Sequence, residues 1–487
     1  MQRFSGHRAR HRLASPPCPH GIATAMATLA ALLAGNVGAT AQDLSQPGPF
    51  AGGWRTVTVT RPNSTTFNAR LHYPATGAGG QNAAFDPTGG PYPAISFGHG
   101  FLQPVTQYQS TCQHLATHGY FVIASESEGG LFPSHANFAA DLRHCLTWLE
   151  QQNANPASLY FQAIETQAFG LSGHSMGGGA SILAAAADPR VRVVANLAAA
   201  ETNPSAIAAM ANVSVPVVLI SGTQDSITPI STNTQPMYSA GAAPKQLPAI
   251  LGGFHCGFTD GSFIGCDSGG ISRSQQLAIT RRLLTQSFDL YLKGDPTHWR
   301  SVWGPERDLA TDVTTSAASG ILVGPLDLTI AACPGSVATA PLTVTNTGSF
   351  STSYSLSAED SSWPVTITPA QTATLPPGAS ATFAVSIDTP PGVLAAQTTA
   401  LVSARSDRDG GTRGWTRVTF QRPAGRGDLN CDGVVSFDDI DAFVIALSGE
   451  AAYAAAYPDC QWLRADCDCD GAVTFDDIDP FVRQIGQ

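Results

Sequence analysis

Between Thr56 and about Gly294 the apolar residues come in short runs: Ala94–Phe97, Tyr120–Ala124, Ala168–Leu171, Val191–Leu197, Pro216–Ile220 and Gln246–Leu251. Between most of them lie Ala- or Leu-rich segments with helical spacing. Unbroken apolar runs flanked by helices predict strands buried on both faces, hence an α/β unit with a largely parallel sheet and helices on both sides. A helix from about Ser272 to Lys293, ended by Gly294 and Pro296, closes this unit, which is assigned to residues 42–310. After a linker at 311–321 the texture changes to Thr, Ser, Ala, Gly and Pro, with period-two stretches such as Phe383, Val385, Ile387 and turns such as Pro376-Pro377-Gly378. Strands without intervening helices over residues 322–422 predict a β-sandwich, and no cluster of polar aromatics marks a sugar-binding face, so it reads as a spacer. Residues 426–487 contain a repeat: Asp428–Val444 and Asp466–Val482 match at 12 of 17 positions, 38 residues apart.

The N-terminus places Arg3, Arg8, Arg10 and Arg12 before an apolar stretch, Gly21 to Gly35, and the small triplet Ala39-Thr40-Ala41. That order predicts a secretory signal at residues 1–41 cleaved after Ala41, its apolar part too short to span the roughly 30 Å of a bilayer core. No later stretch reaches about 18 apolar residues, so a secreted protein without a membrane span is expected. Removal of the signal leaves 21 basic and 36 acidic residues, a net charge of −15, with no basic stripe to neutralise phosphates. Nucleic acid is excluded as the main partner. Nine cysteines remain; in an oxidising compartment they are expected to pair, Cys112 with Cys145 and Cys256 with Cys266 by proximity, the odd count leaving at least one thiol.

Gly173-His174-Ser175-Met176-Gly177 follows an apolar run and opens an Ala-rich segment. A strand, a sharp turn and a helix lift a serine hydroxyl into reach near a helix N-terminus, where negative charge is favoured. A serine needs an imidazole to take its proton, and the imidazole needs a carboxylate to fix its tautomer; in this fold the chain order is Ser, acid, His. Between Ser175 and His255 the acids are Asp188, Glu201 and Asp225. Asp225 lies in the loop after the run Pro216–Ile220, whereas Asp188 precedes Pro189-Arg190 at a helix end and reads as a solvated terminus. Of the 12 histidines only His255 and His298 lie beyond Asp225, and His255 follows a strand through Gly252-Gly253. Ser175, Asp225 and His255 are therefore the expected triad, and the other histidines are assigned no role. Two backbone donors are required for the tetrahedral oxyanion: the amide of Met176 and that of Phe101, in the loop Gly98-His99-Gly100-Phe101 after Ala94–Phe97.

Leu115-Ala116-Thr117-His118-Gly119-Tyr120, Gly173-His174-Ser175-Met176-Gly177-Gly178-Gly179, Gly222-Thr223-Gln224-Asp225-Ser226-Ile227 and Gly252-Gly253-Phe254-His255 carry a family resemblance. Residues from about 50 to 295 resemble the α/β-hydrolase branch of bacterial polyester hydrolases, cutinases and platelet-activating-factor acetylhydrolases. The resemblance implies the same triad and oxyanion donors, and no cofactor for catalysis. It also exposes a departure: where polyester hydrolases set a Trp against an aromatic ring of the polymer, this chain has Ala200. The sandwich resembles the immunoglobulin-like accessory domains of secreted hydrolases.

The tail holds 13 acids and 3 Arg. Asp428, Asn430, Asp432, Gly433, Val434, Ser436 and Asp439 stand at positions 1, 3, 5, 6, 7, 9 and 12 of a calcium loop, and Asp466, Asp468, Asp470, Gly471, Ala472, Thr474 and Asp477 repeat the set. Hard Ca²⁺ takes about six to eight oxygens around a tight turn that Gly permits. Each loop is followed by one apolar helix, Ile440–Leu447 and Ile478–Ile485, as in dockerin modules, which the tail resembles. The resemblance implies a structural Ca²⁺ role and a cohesin-like protein partner contacting the region of Phe437-Asp438 and Phe475-Asp476. Cys431, Cys460, Cys467 and Cys469 allow three pairings. The expected function is a secreted serine carboxylic-ester hydrolase acting on a polymeric or insoluble ester and tethered by its tail. Hydrolysis of small esters or phospholipids, or a non-catalytic docking or adhesion role, are the alternatives.

Overall fold

A computed structural model describes residues 43–333, 336–390 and 397–485. The expected signal, its cleavage after Ala41 and Cys18 lie outside the described residues.

The chain enters as an antiparallel ribbon, β1 (Ala51–Thr60) and β2 (Thr66–Ala75), with a two-residue strand β3 (Gly80–Gln81) beside β1. The six apolar runs then form β4 (Tyr92–Gly98), β5 (Phe121–Ser125), β6 (Ile164–His174), β7 (Val191–Leu197), β8 (Val217–Gly222) and β9 (Lys245–Ile250). These six are mutually parallel, so their C-terminal ends share one edge of the sheet. The stretch expected to be a linker instead contains β10 (Val313–Ala318), which pairs antiparallel with β9. Its alternation of half-buried and exposed positions hides it from a search for apolar runs. The order across the sheet is β10-β9-β8-β7-β6-β4-β5-β2-β1-β3.

Helices cover both faces: α1 (Gln109–Thr117), α2 (His135–Ala154), α3 (Met176–Ala185), α4 (Thr234–Ala240) and α5 (Arg273–Phe288). Alternate strand residues point to opposite layers. Ala94, Phe121 and Ile123 meet Leu142, Leu146 and Ile182 of α2 and α3. Ile95, Phe97 and Val122 meet Leu115 of α1 and Leu283, Leu284 and Phe288 of α5. Every residue of β4, β5 and β8 is buried, the signature of a strand covered twice. Helix α5 starts at a capping box, Ser272 with Gln275, an arrangement whose cap contributes about 1 kcal/mol. A π turn, Asp289–Lys293, carries it on to Gly294 at φ +67°. Among the described residues no helix is long and apolar enough to cross a membrane.

Two expectations need correction here. Cys112 and Cys145 are free, buried thiols on opposite sides of the sheet, one in each layer, so the sheet keeps them apart. Burial pushes both thiols well above their ordinary range. Asp188 is buried and accepts hydrogen bonds from Arg190 Nε at 2.9 Å and Nη2 at 2.6 Å, which outweigh its desolvation and hold its pKa low; it is no solvated terminus.

Residues 321–421 form β11 (Ile321–Gly324), β12 (Leu328–Ala331), β13 (Val337–Asn346), β14 (Tyr354–Glu359), β15 (Val365–Thr368), β16 (Ser380–Asp388), β17 (Gln397–Ser406) and β18 (Arg413–Gln421). They build two four-stranded sheets, β11-β13-β16-β15 and β12-β18-β17-β14, around a shared core that includes Val344, Phe383, Val385, Val402 and Phe420. This part is not a free spacer. Leu401 joins the core of the first unit beside Trp299 and Trp303, Trp415 Nε1 donates to Trp303 O at 3.0 Å, and the Tyr291 and Thr412 hydroxyls bond at 3.0 Å.

The tail forms α6 (Ile440–Leu447), α7 (Glu450–Ala456) and α8 (Ile478–Gln484). Its repeat packs on itself: Phe443 and the equivalent Phe481 stack with centroids 4.3 Å apart and planes 6° apart. Three disulfides occur among the described residues, Cys256–Cys266, Cys431–Cys460 and Cys333–Cys469. The first is the proximity pair read from the sequence. The third joins the tail to the β-rich part, a partner outside the four tail cysteines, and leaves Cys467 a buried thiol. Alkylation of the protein unfolded without reductant is expected to label Cys112, Cys145 and Cys467, and the other six only after reduction. Peptide mass mapping reads the result, and label on Cys333 or Cys469 without reductant contradicts the cross-link.

Candidate active site

The sequence places each expected site residue just past the C-terminal end of a parallel strand, and those ends share an edge. Strand β6 stops at His174 and α3 begins at Met176, so Ser175 alone makes the turn, at φ 54°, ψ −118°. Such a backbone is strained for a residue with a Cβ, and the surroundings hold it. Ser175 N donates to Leu197 O at 2.9 Å, and Ser175 O accepts from Gly179 N at 3.1 Å and Ala200 N at 2.9 Å. The flanking glycines are required by close approach. A Cβ on Gly173 would lie 2.5 Å from the Gly177 carbonyl, and one on Gly177 would lie 2.2 Å from that of Gly98. The turn is thereby pressed against the loop that follows β4.

Asp225 sits in the loop after β8. Its Oδ1 accepts from Ile227 N at 3.0 Å and Thr228 N at 2.7 Å, and its Oδ2 accepts from the Thr228 hydroxyl at 2.9 Å. The same Oδ2 lies 2.8 Å from His255 Nδ1. A carboxylate loaded with donors stays an acceptor, so Nδ1 carries the imidazole proton and Nε2 keeps its lone pair. Both side chains are buried.

His174, directly before Ser175, packs its ring on that of His255 with centroids 4.4 Å apart. This contact brings the turn and the imidazole together. Burial, then the nearness of His255, holds His174 well below the ordinary histidine range and hence neutral. Its Nδ1 is hydrogen-bonded to the Tyr108 hydroxyl at 2.9 Å, and the same hydroxyl accepts from Gly100 N at 3.0 Å. Tyr108 thus ties the loop carrying Phe101 to the serine turn. His99 Nε2, 2.9 Å from Ser127 O, steadies that loop from the other side. Among the described residues the Ser175 hydroxyl has no hydrogen-bond partner, a common state of such groups without substrate.

Met176 N, at the first position of α3, has no acceptor within the helix. Phe101 N has none either among the described residues, and the Phe101 ring is 46% exposed at the rim. The sequence reading left out His174, Tyr108, His99 and Thr228. Only Thr228 carries a local signal, an Asp followed three residues later by a hydroxyl in a turn.

In the tail, Asp466, Asp468 and Asp470 bring carboxylate oxygens within 4.8 Å of one another. The equivalent first-position residues Asp428 and Asp466 each keep a buried Oδ1 without a hydrogen-bond partner. Gly433 and Gly471 both turn at φ +93°. Asp439 and Asp477 receive backbone amides of their own loops, Asp439 from Leu429 at 2.7 Å and Asp477 from Asp468 at 2.9 Å. Arg464 reaches across to Asp428 at 2.8 Å and Arg426, its counterpart in the repeat, to Asp466 at 2.7 Å. The unpartnered buried oxygens and the all-oxygen donor set fit a hard cation.

Residues 40–264 match the protein-family model described as PETase, PET hydrolase-like. Over 166 residues the chain is 24% identical to Cutinase est1 of Thermobifida alba, covering 34% of this chain and 53% of that protein. Over 185 residues it is 23% identical to Cutinase est2 of the same organism, covering 38% and 59%. The chain spans a little over half the length of these curated relatives. Phe101, Ser175, Met176, Asp225 and His255 all lie within the stretch that is similar to PET hydrolase-like proteins.

Proposed function

We propose that the chain is a secreted serine hydrolase of carboxylic esters. The observation that carries this reading is the buried 2.8 Å His255–Asp225 pair, with the His255 ring packed at a tilt against that of His174, the residue before Ser175. His255 Nε2 takes the proton of the Ser175 hydroxyl as Oγ attacks the ester carbonyl, and Asp225 stabilises the imidazolium. The oxyanion forms beside the amides of Met176 and Phe101; the alcohol leaves with the proton from His255, and water then repeats the sequence on the acyl group. The similarity to cutinases and the half-exposed Phe101 support a polymeric or insoluble ester. Ala200, where a stacking aromatic would add about 0.5–1.5 kcal/mol, favours aliphatic over aromatic polyesters. Export is supported by the basic, apolar and small order of residues 1–41 and by the three disulfides.

The 322–422 part is read as immunoglobulin-like and the tail as a dockerin-like tether to a cohesin-like partner. Phe437 and its repeat equivalent Phe475, 74% and 76% exposed, support a docking face. The tail's first-position aspartates, with the other carboxylate, amide, hydroxyl and carbonyl oxygens of the two loops, would hold Ca²⁺, which neutralises the acids and fixes the turns. The catalytic reading is tested by an organophosphonate that traps activated serines. One adduct per chain, on the peptide bearing Ser175, is expected, together with loss of aryl-ester hydrolysis. An unmodified Ser175 in an inactivated protein removes the reading.

A further inference from the structure

Past His255 the chain makes an excursion, Cys256 to Cys266, whose ends are joined by a disulfide with Cα atoms 5.6 Å apart. The residue that follows it, Asp267, is thereby returned to the base of the His255 loop. There its carboxylate collects three main-chain amides. Oδ2 accepts from His255 N at 2.9 Å and from Ser226 N at 3.2 Å, and Oδ1 accepts from Cys256 N at 3.0 Å. Ser226 directly follows Asp225. One oxygen therefore holds both the backbone of His255 and the backbone next to its carboxylate partner, from loops that leave different strands.

We propose that Asp267 is a positioning residue that sets the separation of Asp225 and His255 through their main chains. It never touches the reacting atoms. The proposal rests on the esterase reading and adds to it a residue that neither the Ser-acid-His order nor the strand pattern points to.

The chemistry of the acceptor matters. An ionised carboxylate offers acceptor positions on both oxygens, and its bonds to backbone amides are shorter and stronger than neutral ones. An amide side chain offers one oxygen and turns two N–H donors toward whatever faced the other. The neighbouring segment is arranged to keep Asp267 where it is. Gly270 N donates to Gly252 O at 2.8 Å, and a Cβ on Gly269 would lie 2.2 Å from the same carbonyl. On the other side, buried Gln276 of α5 bonds the Phe254 main chain twice, accepting from N at 2.9 Å and donating to O at 2.8 Å. Gln276 thus fixes the residue before His255, while Asp267 fixes His255 itself and links it to the Asp225 loop. A displacement of about 1 Å in such a constellation can cost about 100-fold in rate.

The test is Asp267→Asn in the full chain, assayed on p-nitrophenyl acetate with active sites counted by phosphonate titration. We expect kcat per titrated site to fall about 10- to 100-fold with KM within about two-fold of wild type. A merely structural role lowers the number of titratable sites or the melting temperature and leaves kcat per site alone. Should the misdirected amide prevent folding, Asp267→Ala, which leaves room for water to take the three N–H groups, is read the same way. Wild-type kcat per site in the folded variant overturns the proposal. Ser175→Ala, run beside it, separates the two levels: an inactive Ser175→Ala with an unimpaired Asp267 variant sinks the positioning role alone, whereas an active Ser175→Ala sinks the esterase reading beneath it.

Discussion

Ser175→Ala is expected to lower kcat on a short aryl ester by on the order of 10⁶-fold, the scale seen when a serine nucleophile is removed from a triad. The rate that survives comes from the amides of Met176 and Phe101 and from substrate binding, worth about 10³- to 10⁴-fold over water. The fold is expected to survive the change. Among the described residues the Ser175 hydroxyl makes no hydrogen bond, so its loss strands none of them, and alanine bears the φ of 54° at a cost similar to that of serine. A melting temperature within a few degrees of wild type alongside the lost activity therefore assigns the effect to chemistry. Activity within ten-fold of wild type would mean that another group attacks the ester, and the reading of His255 and Asp225 as its partners would go with it.

What the sequence made legible follows from how each feature is held. The six parallel strands are covered on both faces, so their apolar runs stand out, and the loops after them carry Ser175, Asp225 and His255 in chain order. The antiparallel strands β1 and β10 escaped because their residues are partly exposed and mixed in polarity. The cysteine pairing was only partly readable. A short span joins Cys256 to Cys266, but Cys333 and Cys469 are 136 residues apart, and nothing local announces that the tail is fastened to the β-rich part. Tyr108 and Asp267 were invisible for a related reason. Each acts on groups brought near by the fold, and acceptance of a backbone N–H leaves no pattern in the sequence. Such residues support a site whose proposed reactive members stand in a motif.

Chelation is expected to destabilise the tail while leaving kcat on a short ester unchanged. Asp466, Asp468 and Asp470 converge to within 4.8 Å, and without a cation their charges face one another. At such separations a like-charge pair near a protein surface costs up to about 4 kcal/mol, before salt screening. The buried unpartnered Oδ1 atoms of Asp428 and Asp466 add the cost of unsatisfied acceptors. A bound cation relieves both. At a free concentration 100 times Kd each site contributes about 2.7 kcal/mol, so two sites contribute roughly 5 kcal/mol to a module with a small core. The crossed pairs Arg464–Asp428 and Arg426–Asp466 make each loop depend on the segment before the other, so filling one site is expected to favour the second. Calorimetry of the full chain in millimolar Ca²⁺ and in chelator reads the stability. Trypsin cleavage after Arg464 reports on the tail alone. Superimposable melting curves with unchanged proteolysis would remove the calcium assignment. A kcat that falls in step with the tail's melting would instead tie the cation to the hydrolase unit, against the structural role assigned to it.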